Sequence, residues 1–286
     1  HSQDMESQIH GILDISKDEA DRLKRVDDLF LDTSPVTLDS LQKSRFLSEI
    51  NVLFGEDCVD PKPDWTLNKE WYITNRKYPS FITTKRLTLK NEAFDVSFKM
   101  NSRGKFKIVQ LADLHFSVGK GKCRDEFPMH DSCEADPKTL EFINRVLDRE
   151  KPHLVVFTGD QIMGNECKQD SETALLKVLE PVITRKIPFA MVWGNHDDEG
   201  SLSRWEMSQI VAKLPYSIFR LSQHDTKDSK FGLGNYIQQI FTSEDQPAIS
   251  LYFLDSHKYS SNPKIFPGYD WIKEEQWDYM RNYYET

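Results

Sequence analysis

Three short polar blocks in this chain carry residue types that hold metal ions and move protons. They are Asp113-Leu114-His115, Gly159-Asp160-Gln161 and Gly194-Asn195-His196-Asp197. A carboxylate and an imidazole together suit manganese, iron or zinc better than calcium or magnesium alone. Asp113 and His115 stand two residues apart, so in an extended segment their side chains point the same way. Asp160 has two oxygens with which to bridge a pair of ions, and the neutral amide oxygen of Asn195 can reach the second. Gly159 and Gly194 let the backbone turn sharply and approach closely. Singly, each block is weak: Asp-x-His and Gly-Asp are commonplace, and an Asn in a turn has a bland local role. In order, each behind an apolar run, the three describe one two-metal centre.

Those apolar runs are the elements that must position the blocks. Phe106–Leu111, Leu154–Phe157 and Phe189–Trp193 each end just before a block, and a fourth run spans Ile249–Leu254. Their near-continuous apolar character predicts strands buried on both faces. Between the first two, Asp136 is placed to cap a helix, Pro137 to open it, and Leu140, Ile143 and Leu147 to form its stripe. Leu176, Leu179 and Ile183 predict another helix over Thr173–Thr184. Ser203 and Glu206 have the spacing of a capping box for a helix through Ile210. Strand and helix alternate, so an α/β layered domain is expected, with ligands beyond the carboxyl ends of its strands. A last amphipathic helix is predicted from about Trp271.

Upstream, residues 1–63 read as helical. One stripe runs from Met5 through Ile9, Ile12, Leu23 and Leu29; a second joins Leu38, Leu41, Phe46, Leu47, Ile50 and Leu53, with Gly55 as its stop. Asp60-Pro61-Lys62-Pro63 reads as a linker. Residues 64–104, rich in aromatic and β-branched side chains, are expected to form short strands and loops leading into a domain over 105–286.

With their flanks, Leu111-Ala112-Asp113-Leu114-His115-Phe116, Val156-Phe157-Thr158-Gly159-Asp160-Gln161 and Trp193-Gly194-Asn195-His196-Asp197-Asp198-Glu199 resemble the first three signature blocks of the calcineurin-like metallophosphoesterases. Within that family the text is similar to fungal phosphatases of cell-cycle regulation and to plant relatives of purple acid phosphatase type. The resemblance covers roughly residues 105–286. It implies a layered β-sandwich flanked by helices, here incomplete. It also implies that Asp113 and His115 bind one metal, Asp160 bridges, Asn195 binds a second, and His196 serves the leaving group as general acid. Two divalent ions (Mn, Fe or Zn) about 3.5–4 Å apart would then provide a bridging hydroxide for in-line attack on phosphorus. The implied reaction is phosphomonoester hydrolysis, with a phosphorylated protein as substrate. A phosphodiesterase of the same fold and a non-catalytic binding scaffold are the alternatives.

The chain also departs from that pattern. The family's later ligands, a histidine on a further strand and a Gly-His-x-His block, have no counterpart; only His224 and His257 follow His196. The expectation is a catalytic domain cut short. Three residues past Asp160, where relatives place an aspartate that orients the histidine or a metal-bound tyrosine, stands Met163. Asp197 or Asn165 is therefore the expected partner of His196. The loop Val118–Ala135 carries Lys120, Lys122 and Arg124 and reads as solvated rather than as a phosphate cradle.

Composition narrows the partners. A formal net charge of −9 disfavours a nucleic-acid binder. No apolar run is long enough to span a membrane. Four cysteines without a CxxC pair exclude a zinc framework; Cys123 and Cys133 are near enough in sequence to pair, but reduced thiols in a cytoplasmic protein are expected. The opening His1-Ser2-Gln3-Asp4 reads as a cut edge, with any targeting signal outside the chain.

Overall fold

A computed structural model describes residues 47–73, 77–86, 96–124, 126–130, 132–226 and 230–285. The helical stripe predicted over residues 5–29, and the start of the second, lie outside them. The chain divides into two units, residues 1–93 and 94–286.

The first unit contains an antiparallel sheet of β1 (Leu47–Phe54), β2 (Trp65–Ile73) and β3 (Ser80–Arg86), in the order β1-β3-β2. The helix expected through Leu47, Ile50 and Leu53 is therefore a strand, with Ile50 opposite Thr84 and Val52 opposite Ile82. Ile50, Asn51, Val52, Leu53 and Phe54 are all buried, so neither a period of two nor one of 3.6 is legible in this run. The β-branched residues of β3 supply the pairing that decides the matter. Gly55 closes β1 with φ 94°, and its N–H donates to Pro79 O at 2.8 Å. Asp60-Pro61-Lys62-Pro63 is not a linker between units but part of the connection from β1 to β2. Asp60 accepts the Thr83 hydroxyl at 2.8 Å, and Lys62 sits 3.8 Å over the Trp65 ring.

The second unit is mixed α/β, with one parallel and one antiparallel sheet. β4 (Ile108–Leu111), β5 (Leu154–Thr158) and β6 (Phe189–Val192) form the parallel sheet in that order. β7 (Tyr236–Phe241) and β8 (Pro247–Phe253) form the antiparallel pair. The helices described are α1 (Ala135–Glu150), α2 (Ser171–Thr184), α3 (Arg204–Lys213) and α4 (Glu274–Glu285). Burial on both faces holds for β5 and β6. It does not hold for β4 at the sheet edge, where Ile108 is exposed, or for the first half of β8. β7 escapes a hydrophobicity reading because Gln238 and Gln239 interrupt it.

The core of this unit lies where α2 meets the parallel sheet. Leu175, Leu176, Leu179 and Val182 are fully buried, as are Phe157 and Phe189, whose rings meet edge to face at 6.1 Å. Each such leucine contributes roughly 1.5–3 kcal/mol. The capping box on α3 is formed as predicted: the Ser203 side chain accepts from Glu206 N, and Glu206 accepts from Ser203 N at 2.7 Å.

Asp136 does not cap α1, whose N-cap position is Glu134. It is instead buried against Lys177 of α2, with Nζ to Oδ2 at 2.7 Å. Lys177 also donates to Ser117 O at 2.9 Å and Gly119 O at 2.6 Å, and Asp136 accepts from Ser117 N at 3.0 Å. This knot fixes the chain leaving the first polar block. Beyond it, Cys123 and Cys133 form a disulfide, with Cα atoms 5.5 Å apart, which corrects the expectation of reduced thiols. Sequence proximity allowed the pair; the return of the loop to α1 makes it. Cys58 and Cys167 lie outside the disulfide and are buried. Among the described residues, no helix is long and apolar enough to cross a membrane.

Candidate metal centre

The three polar blocks stand at the carboxyl ends of β4, β5 and β6, and backbone hydrogen bonds continue past the strands to tie them together. Asp113 N donates to Gly159 O at 3.1 Å, His115 N to Asp160 O at 3.0 Å and Phe116 N to Gln161 O at 3.0 Å. Asp113, His115 and Asp160 adopt left-handed backbone, with φ of 54°, 52° and 51°. Such values are sparse for residues other than glycine, though Asp and His are among those that tolerate them. The extended geometry assumed for Asp113 and His115 therefore does not describe how their side chains meet; the bends at each ligand do that.

The blocks of β5 and β6 are packed backbone to backbone. A Cβ on Gly159 would meet Gly194 Cα at 3.0 Å, and one on Gly194 would strike Asp160 itself. Asp197 staples this contact. Its Oδ2 accepts from Asp160 N at 3.1 Å and Gly194 N at 2.7 Å, and its Oδ1 from Ile162 N at 3.0 Å. Burial pushes its carboxyl up to about 6, against the amides of Ile162 and Gly194, which favour the anion. His196 N donates to Asp160 Oδ1 at 2.9 Å, which leaves Oδ2 facing His115.

Ligating atoms of Asp113, His115 and Asp160 all lie within 4.8 Å of one another. His115 Nε2 is 3.9 Å from both Asp113 Oδ1 and Asp160 Oδ2, too far for hydrogen bonds. That separation is short enough for one cation to be reached by all three donors at ligand distances of ~2.1 Å. Two carboxylates and an imidazole that converge without bonding each other suit a divalent transition metal. The residues present therefore fit the ion that the sequence implies.

Asn195 and His196 follow directly. Asn195 Nδ2 donates to Tyr259 OH at 3.4 Å, so the amide oxygen is the atom left for a cation. The His115 and His196 rings meet edge to face at 5.6 Å, which brings the proposed proton donor to the ligand cluster. His196 Nδ1 is 2.9 Å from Glu199 Oε2, and Tyr259 OH donates to Glu199 Oε1 at 3.0 Å. The Glu199 contact raises the His196 pKa, and the same bond lowers that of Glu199. The partner of His196 is thus Glu199, not Asp197 or Asn165. Asp197 is committed to backbone amides, and Glu199 is one helical turn from the imidazole it meets.

Sequence reasoning missed Tyr259 as well. It follows β8 at a position no motif marks. His257, also after β8, faces Gln276, with Nε2 to Oε1 at 3.1 Å, and is not among the clustered donors. Arg204 of α3 binds Asp255 at 2.7 Å and donates to Gly194 O, so β8 and the third block share one buried guanidinium.

The family model described as Calcineurin-like phosphoesterase matches residues 106–283. The chain is 52% identical over 97% of its length to a Saccharomyces cerevisiae protein named Phosphatase DCR2, of which it covers 49%. It is 38% identical over 62% of its length to Probable inactive purple acid phosphatase 29 of Arabidopsis thaliana, covering 47% of that protein. An uncharacterised Schizosaccharomyces pombe protein is 32% identical over 82% of the chain, which covers 46% of it. The chain thus spans about half the length of the curated relatives it matches. With three polar blocks on three parallel strand ends and a family match across the whole of that region, this chain belongs to the calcineurin-like phosphoesterase family, a family of metal-dependent hydrolases.

Proposed function

We propose that the protein is a phosphomonoesterase that uses two divalent ions, of Mn, Fe or Zn type, and acts on phosphorylated proteins. The convergence of Asp113, His115 and Asp160 beside His196 carries this reading. Asp113 and His115 would hold one ion, Asp160 would share it with a second, and Asn195 would offer its amide oxygen to that second ion. When bound, the ions supply Lewis-acid polarisation of the phosphoryl oxygens and a water of lowered pKa. The chain's own contribution is to fix the ligands before the substrate arrives and to keep His196 beside them as proton donor to the leaving oxygen. The name of the yeast relative supports phosphatase chemistry, and the acidic charge favours a protein over a nucleic-acid substrate. The Cys123–Cys133 bond weighs toward an oxidising compartment rather than the cytoplasm expected from cysteine content.

The test is hydrolysis of an aryl phosphate and an aryl phosphodiester by the complete protein, with and without Mn²⁺, beside His196→Ala. Mn²⁺-dependent monoester hydrolysis that falls by about 100-fold or more in the variant is expected. Preference for the diester would move the assignment to a phosphodiesterase. Bound Mn²⁺ without turnover of either ester would leave a binding scaffold.

A further inference from the structure

The segment after the third block is more tightly specified than a loop with no role requires. Asp197–Glu199 forms a short 3-10 turn directly behind His196, with Glu199 N donating to His196 O at 3.2 Å. Gly164 N also donates to His196 O at 3.2 Å, and a Cβ on Gly164 would meet that oxygen and Glu199 N. Lys168 donates to Glu199 O from the other side. The turn therefore holds Glu199 at one distance from the imidazole. A second segment closes over it: Lys258 binds Asp198 at 2.8 Å, and the neighbouring Tyr259, stacked on Tyr269 at 5.8 Å, donates to the outer oxygen of Glu199. Each oxygen of the Glu199 carboxylate thus has its own partner, His196 Nδ1 on one side and the Tyr259 hydroxyl on the other.

We propose that Glu199 is the positioning residue for His196, with Tyr259 as the brace that holds it. An ionised carboxylate only accepts hydrogen bonds, so it requires the imidazole hydrogen to sit on Nδ1. Nε2 is then the ring atom available to the substrate. The donor is the doubly protonated ring, which carries hydrogen on both nitrogens: as the water oxygen bonds to phosphorus and the ester phosphorus–oxygen bond breaks, the electron pair leaves with the ester oxygen, which takes the Nε2 proton. The neutral ring keeps its hydrogen on Nδ1. The proton released by the attacking water returns through solvent to Nε2. This role deepens the phosphatase reading above and rests on it.

The test has two independent readouts. Nitrogen-15 spectra of the metal-free complete protein, with His196 assigned by its loss in His196→Ala, report the tautomer of the neutral ring. The wild type should carry hydrogen on Nδ1. Glu199→Ala, and Glu199→Leu if the alanine variant does not fold, should shift the population toward the Nε2 form that free imidazole favours, because neither side chain offers an acceptor to Nδ1. Kinetically, the Mn²⁺-loaded Glu199→Ala enzyme should lose about 100-fold on phenyl phosphate and roughly tenfold less on dinitrophenyl phosphate, which needs little proton donation. Glu199→Ala combined with His196→Ala should be no slower than His196→Ala alone. Tyr259→Phe should show a smaller loss with the same dependence on leaving group. An unchanged tautomer, equal losses on both esters, or a double variant slower than His196→Ala would each overturn the assignment. If the wild type hydrolyses neither ester, the phosphatase reading fails, and the tautomer result still decides whether Glu199 sets the ring.

Discussion

Two buried carboxylates organise the second unit, and they do so in opposite ways. Asp136, behind the first block, faces the ammonium of Lys177, and both side chains are almost wholly removed from solvent. Asp197, in the third block, is equally buried but bound by the amides of Asp160, Ile162 and Gly194; among the described residues it forms no salt bridge. The first joins two helices, α1 and α2, through matched charges. The second joins two strand ends through backbone donors that cannot move without moving Asp160 and the block that carries Asn195. A charge pair tolerates some displacement of the chain, because Coulomb attraction falls slowly with distance. Three amide bonds to one carboxylate do not, because they weaken steeply with angle. The molecule places the less forgiving device at the site that needs fixed geometry.

Substitutions can break this contrast or sharpen it. The largest effect is expected from Lys177→Met, which keeps bulk but removes the buried ammonium that faces Asp136. It should destabilise by about 3–5 kcal/mol. A urea midpoint for the metal-free protein measures this, and a loss below that of a surface lysine would mean the pair is not buried in solution. Next is Asp197→Asn, which keeps the shape but turns one oxygen into a donor aimed at donors. A loss of about 1–3 kcal/mol is expected, together with weaker Mn²⁺ binding by calorimetry. If stability falls and Mn²⁺ affinity does not, Asp197 is a staple with no bearing on the ligands. The smallest is Ser203→Ala at the start of α3, where a neutral, exposed cap is lost. A loss of about 1 kcal/mol calibrates an ordinary hydrogen bond against the two buried ones.

What the sequence disclosed follows from how local each signal is. The apolar runs before the three blocks mark β4, β5 and β6, and Ser203 with Glu206 announces α3, because each depends on residues within a turn or a strand of one another. The family blocks disclosed the cluster of Asp113, His115 and Asp160. Residues 47–54 misled because leucines three apart imitate a helical stripe, and only the distant β3 settles the conformation. Asp136 misled for the opposite reason: it sits beside a proline in a cap-like context, but its partner Lys177 is 41 residues away. Glu199 was legible in principle, since it is three residues from His196 and ends the third block. Tyr259 was not, because its partners lie 60 and 64 residues upstream.

The left-handed backbone at Asp113, His115 and Asp160 has a consequence for the origin of binding strength. A ligand set on relaxed, extended chain must be ordered by the ion, and part of the ion's affinity is consumed in that ordering. Here hydrogen bonds between the strand ends already hold the bends, so under the proposed ligand roles little ordering would remain for the cation to do. The same bends act as a filter on sequence drift. Glycine, asparagine or another aspartate can occupy such a position, whereas a β-branched side chain cannot without strain. If these three residues ligate as proposed, substitution can abolish metal binding in many ways, whereas exchange of one ligand type for another is open to very few residues.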